Sequence, residues 1–427
     1  MRLTPENIEE IKVRFAKTKT VEELAQLLSW VYALKFPKRS EKTAIIIEAK
    51  HLNYYAFKPA NRYKQFTIKK KSGGERPISA PRYKLKTIQK CINEILNAVF
   101  TPHFTATGFV PKKSIVDNAK VHIGKQFVFN TDLKDFFPST EFRRIKAVLG
   151  LAPFNLTDAN EINSNKEKKK TSEEKGKGKG YLGYLIANLC CDNGCLPQGA
   201  PTSPTLTNLV CQRLDKKLYK YAKSINATYS RYADDITFSA NKPVFDETFK
   251  KTLIDIIEVQ EKFKINFEKE RLQVGGERQS VTGIIVNRKS NVDRKYLKDV
   301  RFWLMCWKKF GTYATQQKFL VQFPEKKGFL RYGGTTPQFY NYLNGKILFL
   351  GMVRGAKDEI FLKQKMSFDE LYSELNGKNN KTEIGTVIQK DSNHESLDLS
   401  KGILEILNEL DRNGYTNANN KLKTIFK

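Results

Sequence analysis

Two adjacent carboxylates, Asp234 and Asp235, sit within residues 231–239, RYADDITFS, and demand a chemical reason for their position. Ile236, Phe238 and Ala240 alternate with Thr237 and Ser239 as in a β-strand, and Thr228, Tyr229 and Ser230 just before are β-prone. The link between the runs, Tyr232-Ala233-Asp234-Asp235, has none of the Gly or Asn-Gly chemistry of an ordinary tight hairpin. Adjacent carboxylates at the apex of an apolar hairpin repel each other. A hard divalent cation such as Mg²⁺ relieves that repulsion, because it takes carboxylate oxygens as ligands. The competing reading is a solvated turn, Asp being a common turn residue. A third carboxylate and a phosphate-binding surface elsewhere would decide between the two.

Asp132 is the candidate third carboxylate. Residues 127–131, FVFNT, read as a buried strand ending on it, with Phe136 and Phe137 close behind. Residues 63–81, YKQFTIKKKSGGERPISAP, read as a basic hairpin turning at Gly73-Gly74 and carrying Lys69, Lys70, Lys71 and Arg76. An exposed edge hairpin guarded by lysines is the alternative. In CLPQGAPTSPTLTNLV, residues 195–210, three prolines and Gly199 make a rigid loop that feeds a helix from about Pro204. Leu206, Leu209, Val210, Leu214 and Leu218 form its core stripe. A helix start flanked by small residues suits phosphate, though a plain proline-rich connection has the same composition. Asn118 and His122 are four apart on a helix expected from Ser114 to about Gly124, and so share a face. A lone histidine is usually structural.

The remaining elements must position these groups. Thr4-Pro5 and the capping box Thr20 to Glu23 begin two N-terminal helices that pack as a cap on the downstream elements. Residues 83–100 have helical spacing, as do 182–189 and 247–263. Residues 264–276 and 280–287 look like two more strands around Gly275-Gly276. Basic helices come next, with Lys295, Arg301, Lys308 and Lys309 interleaved with Tyr296, Phe302, Trp303 and Trp307. Such interleaving fits a nucleic-acid groove, or a core in the case of the tryptophans. Residues 339–353 read as helix, Ser367 as the cap of another ending near Leu375, 376–393 as a polar linker and 400–410 as a short terminal helix. Residues 155–180 are Lys-rich and of low complexity, with Leu156 and Ile162 as the large apolar residues, and read as a disordered insertion.

Bulk properties narrow the partner. The 427 residues are 40% hydrophobic and 11% aromatic, enough for a sizeable core in two or three units. Lys and Arg number 75 against 45 Asp and Glu, a net charge of +30 that points to a polyanion such as nucleic acid. A membrane is disfavoured as partner, because apolar runs such as 347–353 fall far short of the roughly 18 residues a span needs. The opening MRLTPENIEEIK does not read as a signal peptide, and the six cysteines lack CxxC spacing, so reduced cytoplasmic thiols are expected.

Taken together, the pieces resemble a family. Asp132 after a strand, LPQGAPTSP, YADD, the FTIKKKSGGERPI hairpin and NFEK stand in the order found in reverse transcriptases, over roughly residues 63–287. NAKVH at 118–122 resembles the NAxxH motif, and Val281-Thr282-Gly283 the VTG motif, of bacterial retron reverse transcriptases.

The resemblance implies an α+β right-hand polymerase with fingers, a palm bearing an antiparallel sheet, and a helical thumb. The expected bounds are 1–62 for an N-terminal helical region, 63–125 for fingers, 126–290 for palm, 291–375 for thumb and 376–427 for a linker and tail. By motif position, Asp132, Asp234 and Asp235 would hold two Mg²⁺ ions in the two-metal arrangement. Arg76, with Lys69 or Lys71, would contact the incoming triphosphate. Phe137 would exclude a ribose 2′-OH, Gln198 and Gly199 would line the nucleotide pocket, and Lys269 would lie near the pyrophosphate, although NFEKER departs from the commoner NxxKT form. Asn118, His122, Val281, Thr282 and Gly283 would belong to family-specific RNA recognition.

The implied activity is DNA synthesis on a structured non-coding RNA, primed from an internal guanosine 2′-OH, giving a branched RNA-linked single-stranded DNA used in anti-phage defence. The implied partners are that RNA, its DNA product, dNTPs and an effector or toxin protein. A group II intron-like or other phage-defence reverse transcriptase is the alternative within the class. The intron reading is disfavoured because the chain leaves no room for a maturase-sized domain. A non-catalytic RNA-binding scaffold is the alternative outside it.

Overall fold

The computed structural model describes residues 3–37, 46–58, 62–69, 73–157, 178–322 and 338–379. Lys71, most of the 155–180 insertion and the tail from 380 lie outside them. The chain divides into two compact units, 1–282 and 283–427. Among the described residues no helix is long and apolar enough to cross a membrane. None of the six cysteines is in a disulfide.

The first unit opens with helices α1 (Pro5–Lys17), capped by the Thr4 hydroxyl, and α2 (Val21–Lys35), closed by the Thr20–Glu23 capping box. They join α3 (Ala49–Phe57), α4 (Tyr83–Val99), α6 (Phe142–Gly150) and α7 (Lys179–Cys190) around one core, where Leu28, Leu52, Ile92, Leu149 and Leu185 are buried. Leu156 also enters this core at 4% exposure, so the insertion begins after it. Strands β1 (Tyr63–Lys69) and β2 (Glu75–Pro81) form the basic hairpin, with Ile68 opposite Arg76. Phe66 and Ile68 are exposed despite their alternation, because among the described residues no third layer covers this two-stranded ribbon.

Helix α5 (Ile115–Lys120) starts with the expected Ser114 cap and stops four residues short of Gly124. The helix expected from about Pro204 is two, α8 (Ser203–Val210) and α9 (Gln212–Ser224), which meet at Cys211. A four-stranded antiparallel sheet runs in the order β4 (Thr228–Tyr232), β5 (Asp235–Ala240), β3 (Phe127–Asp132), β6 (Arg271–Val274). The period-two alternation of strands gives it two different faces. Phe129, Tyr229, Ile236 and Phe238 pack against Leu214 and Leu218 of α9 and Phe249 of α10 (Glu247–Ile254). Each such side chain is worth about 1.5–3 kcal/mol when fully buried. On the opposite face stand Asp132, Asp235, Asn130, Thr237, Ser230 and Ser239.

One member of the apolar face is charged. Arg231 is fully buried and makes a two-pronged pair with Asp215 of α9, Nε to Oδ1 at 2.8 Å and Nη2 to Oδ2 at 2.7 Å. The Tyr229 hydroxyl donates to the same carboxylate at 2.7 Å, and Arg231 Nη2 donates to Asn208 Oδ1 at 3.1 Å. With its partners satisfied, the carboxylate keeps Arg231 charged against the cost of burial.

After the short strand Ile284–Ile285, the second unit carries the helices α11 (Arg294–Gln322, kinked at Gly311), α12 (Phe339–Arg354) and α13 (Glu359–Asn379). Trp303 and Trp307 are core residues here, packed with Phe319, Phe339 and Phe368, and do not line a groove. Ser367 lies inside α13 and caps nothing. The Asp358 carboxylate accepts from the Ile360 and Phe361 amides and starts that helix earlier.

The buried pair generates a stability prediction. Asp215→Ala strands a guanidinium in the core and should cost about 3–5 kcal/mol. A free energy of urea unfolding within about 0.5 kcal/mol of the parent's would refute that role.

Candidate active site

Asp132 closes β3 and Asp235 opens β5, and the two stand opposite each other in the strand register. Tyr232 is also paired with Asp235, so Ala233 and Asp234 alone make the turn. Without a glycine, that turn forces Ala233 to φ +59°, the left-handed region unfavourable to a Cβ. Three contacts hold it there. Arg231 Nη1 donates to the Ala233 carbonyl at 2.9 Å. The Leu133 amide donates to the Asp234 carbonyl at 3.1 Å, joining the turn to the end of β3. Gly108 lies against the turn from outside, where a Cβ would come within 2.2 Å of the Ala233 nitrogen, so only glycine fits.

Residues 264–269 complete the site in a way the expected strand would not. Instead of joining the sheet, they pass along residues 132–134, Asn266 N donating to Asp132 O at 2.7 Å, and then curl into a short 3-10 turn, Phe267–Lys269. The curl brings Lys269 Nζ to 2.9 Å from Asp132 Oδ2. Below the carboxylates a polar row crosses the sheet: Gln273 donates to Asn130 Oδ1, and Asn130 donates to Thr237 Oγ1 at 2.9 Å.

The charges are crowded. Burial, then the charge of Asp132, pushes the Asp234 carboxyl up, with Lys269 and Arg76 pulling the other way. Partial withdrawal from water, then the charges of Asp234 and Asp132, pushes Asp235 up to about 7. Lys269 is raised: burial opposes its charge, and its bond to Asp132 and the carboxylates more than offset that. As they stand, the carboxylates do not converge into a cage. Among the described residues no three His, Cys, Asp or Glu side chains are so arranged. Asp132 turns one oxygen to Lys269, and its carboxyl stays within hydrogen-bonding reach of Asp235. Their chemistry nevertheless fits a hard cation: oxygen donors with a deficit of neighbouring positive charge.

Of the other residues singled out in the sequence, Gln198 and Gly199 dock on β2. The Ser79 amide donates to Gln198 O at 2.9 Å and its hydroxyl to Asp192 Oδ2 at 2.7 Å. Gly199 is at φ +131°, with Ile78 and Ser79 3.0 Å from where a Cβ would be. This seats the hairpin so that Arg76, exposed, is felt electrostatically by Asp234. Lys69 lies farther along, opposite Glu75 and open to solvent. Phe137 is half-buried in the turn after Asp132, its ring 6.0 Å from that of Phe109, the neighbour of Gly108.

The RNA-recognition reading of the family motifs needs correction for three side chains. Asn118, His122 and Val281 are 0% exposed, so none can be reached by a macromolecule. Thr282 is half-buried and Gly283 exposed. Sequence reasoning also missed Gly108, Asn208, Asp215 and Arg231. Arg231 carries the one visible signal, a charge where the alternation from Tyr229 calls for an apolar side chain.

Asp235 gives a pH prediction. Its folded pKa lies above the unfolded value near ~4, so between the two the folded protein binds more protons. Stability in EDTA should therefore fall as pH rises from about 4 to about 7, trimmed by solvent screening, and Asp235→Asn should flatten that slope. Thermal melts across pH measure it, and an unchanged slope in the variant would place the crowding elsewhere.

Comparison with known proteins agrees with this geometry. The family described as reverse transcriptase (RNA-dependent DNA polymerase) matches residues 190–297, which include Gln198, Asp234, Asp235 and Lys269. The retron Mx162 reverse transcriptase of Myxococcus xanthus is 34% identical over 261 residues, 57% of this chain and 52% of that protein. The retron Mx65 enzyme of the same organism is 34% identical over 249 residues, 57% of this chain and 56% of that protein. The chain thus spans about half the length of these two relatives. The retron Ec86 reverse transcriptase of Escherichia coli is 32% identical over 266 residues, 61% of this chain and 74% of that protein. With three quarters of that relative covered, and the sheet, the turn and the carboxylates in place, the chain belongs to the retron reverse transcriptases.

Proposed function

We propose that the protein synthesises DNA on an RNA template, transferring nucleotides from dNTPs to a primer hydroxyl. The observation that carries this reading is the register of Asp132 against Asp235 beside a strained, glycine-free Asp234 turn. In the reaction the primer oxygen loses its proton and bonds to the α-phosphorus of the dNTP, while the bond to pyrophosphate breaks. Such transfer needs positioning and charge stabilisation more than a protein nucleophile. Asp132, Asp234 and Asp235 would hold two Mg²⁺ ions, which when bound supply the charge neutralisation that phosphoryl transfer requires. Lys269, whose ammonium lies beside Asp132, would meet the pyrophosphate. Arg76 on the hairpin offers a planar fork for the triphosphate oxygens, with Lys69 as a second cation. Phe137 bounds the sugar, and Gln198 and Gly199 line the pocket floor.

In this reading residues 63–125 serve as fingers, 126–290 as palm and 291–375 as thumb. The net charge of +30 supports an RNA partner bound with strong salt dependence. The likeness to retron enzymes supports a structured non-coding RNA as template and a branched RNA-linked DNA product, with a role in anti-phage defence.

Two substitutions test the assignment. Asp234→Asn should lower Mg²⁺-dependent DNA synthesis by about a hundredfold or more with RNA affinity nearly unchanged, and retained synthesis would refute the metal-holding role. Phe137→Ala should reduce the preference for dNTPs over rNTPs by about tenfold or more, read as the ratio of kcat/KM values. Undiminished sugar discrimination would remove Phe137 from the gate.

A further inference from the structure

We propose that Asn118, His122 and Thr282 are positioning residues for the catalytic hairpin, forming with Thr107 a buried polar brace instead of a nucleic-acid contact. The inference deepens the polymerase reading and rests on its assignment of Asp234 and Asp235.

His122 lies just past the last turn of α5, on the face of the sheet that carries the carboxylates. Its Nδ1 is 2.7 Å from Ser239 Oγ and its Nε2 2.7 Å from Ser230 Oγ. Ser230 belongs to β4 and Ser239 to β5, so one imidazole clasps the two strands that carry the Ala233-Asp234 turn. Burial holds its pKa down to about 3, which keeps the ring neutral, with one nitrogen donating and the other accepting. Two hydroxyls are the partners able to serve either role. A phenyl ring of similar size would fill the space and leave both serines without the clasp.

Asn118, one turn earlier, acts through the segment before the turn's glycine support. Its Oδ1 accepts from the Thr107 hydroxyl at 2.8 Å, and the Thr107 amide donates to the Arg231 carbonyl at 2.8 Å. Gly108, the next residue, is the one pressed against Ala233. Thr282 secures the other end: its hydroxyl donates to the Ile115 carbonyl at 3.1 Å, where α5 begins. The two motifs that mark the retron branch are therefore joined through α5, and both lead to the strands beside Asp234 and Asp235. Every member lies within the first compact unit. A misplacement of about 1 Å in such a site can cost about a hundredfold in rate, so a brace of this kind acts on turnover.

Full-length His122→Phe, His122→Gln and Thr107→Val, with Asp234→Asn as control, would be assayed for primer extension on a generic RNA template and for affinity for that RNA. His122→Phe and Thr107→Val should lower kcat by about tenfold or more, with KM for dNTP and the RNA Kd within about twofold. His122→Gln, which keeps a donor and an acceptor, should restore part of kcat. Weakened RNA binding at normal kcat would overturn the brace in favour of an RNA contact, and unchanged kcat would overturn it outright. Should His122→Phe fail to fold by circular dichroism, Thr107→Val carries the same comparison. Full activity in Asp234→Asn would overturn the polymerase reading and this inference with it, whereas an inactive Asp234→Asn beside a fully active His122→Phe would overturn the brace alone.

Discussion

A guanidinium buried between helix α9 and the sheet is the constraint on which the site depends. Arg231 cannot leave its carboxylate without stranding a charge in a medium that solvates it poorly. Because the same guanidinium also donates to the carbonyl of Ala233, the pair fixes the backbone of the turn as firmly as it fixes α9. The left-handed Ala233 is a strained conformation, of the kind that persists where surrounding contacts over-determine it. Here those contacts are the Arg231 donor, the Leu133 amide and the bare backbone of Gly108.

Around that anchor the sheet separates two tasks. Its apolar face joins Phe129, Phe238 and Phe249 into a core and supplies the stability. Its polar face is graded: carboxylates at the open end, the Gln273–Asn130–Thr237 row next, and the His122 clasp at the covered end. Polar groups buried in this number are tolerable because nearly all have partners. The Nδ2 of Asn118 and the hydroxyl of Thr131 are among the exceptions.

Much of this was legible in the residues. Capping chemistry located α1 and α2, alternation located β5, a short apolar run located β3, and motif order located the carboxylates, because each is a local signal or a short pattern. Three things were not. The curl of residues 264–269 obeys hydrogen bonds to residues 132 and 134, which no local propensity encodes. The clasp of His122 depends on serines more than a hundred residues away, and Asn118 is engaged by Thr107 from the preceding loop, so their motif pointed to the family and not to their task. Gly108 reads as an ordinary loop glycine until its neighbour Ala233, from a distant hairpin, is placed against it.

The two-sidedness of the sheet has a further consequence for accuracy. Side chains alternate with a period of two, so a slip of β3 by a single residue would exchange its faces. Asp132 would turn into the aromatic core and Phe129 would displace the polar row, two faults that no small adjustment repairs. The spacing of the carboxylates is thus quantised. Strand pairing either delivers Asp132 opposite Asp235 or fails to form, and intermediate placements carry a penalty from both faces at once. A chemistry sensitive to ångström errors is in this way built on an error-correcting scaffold.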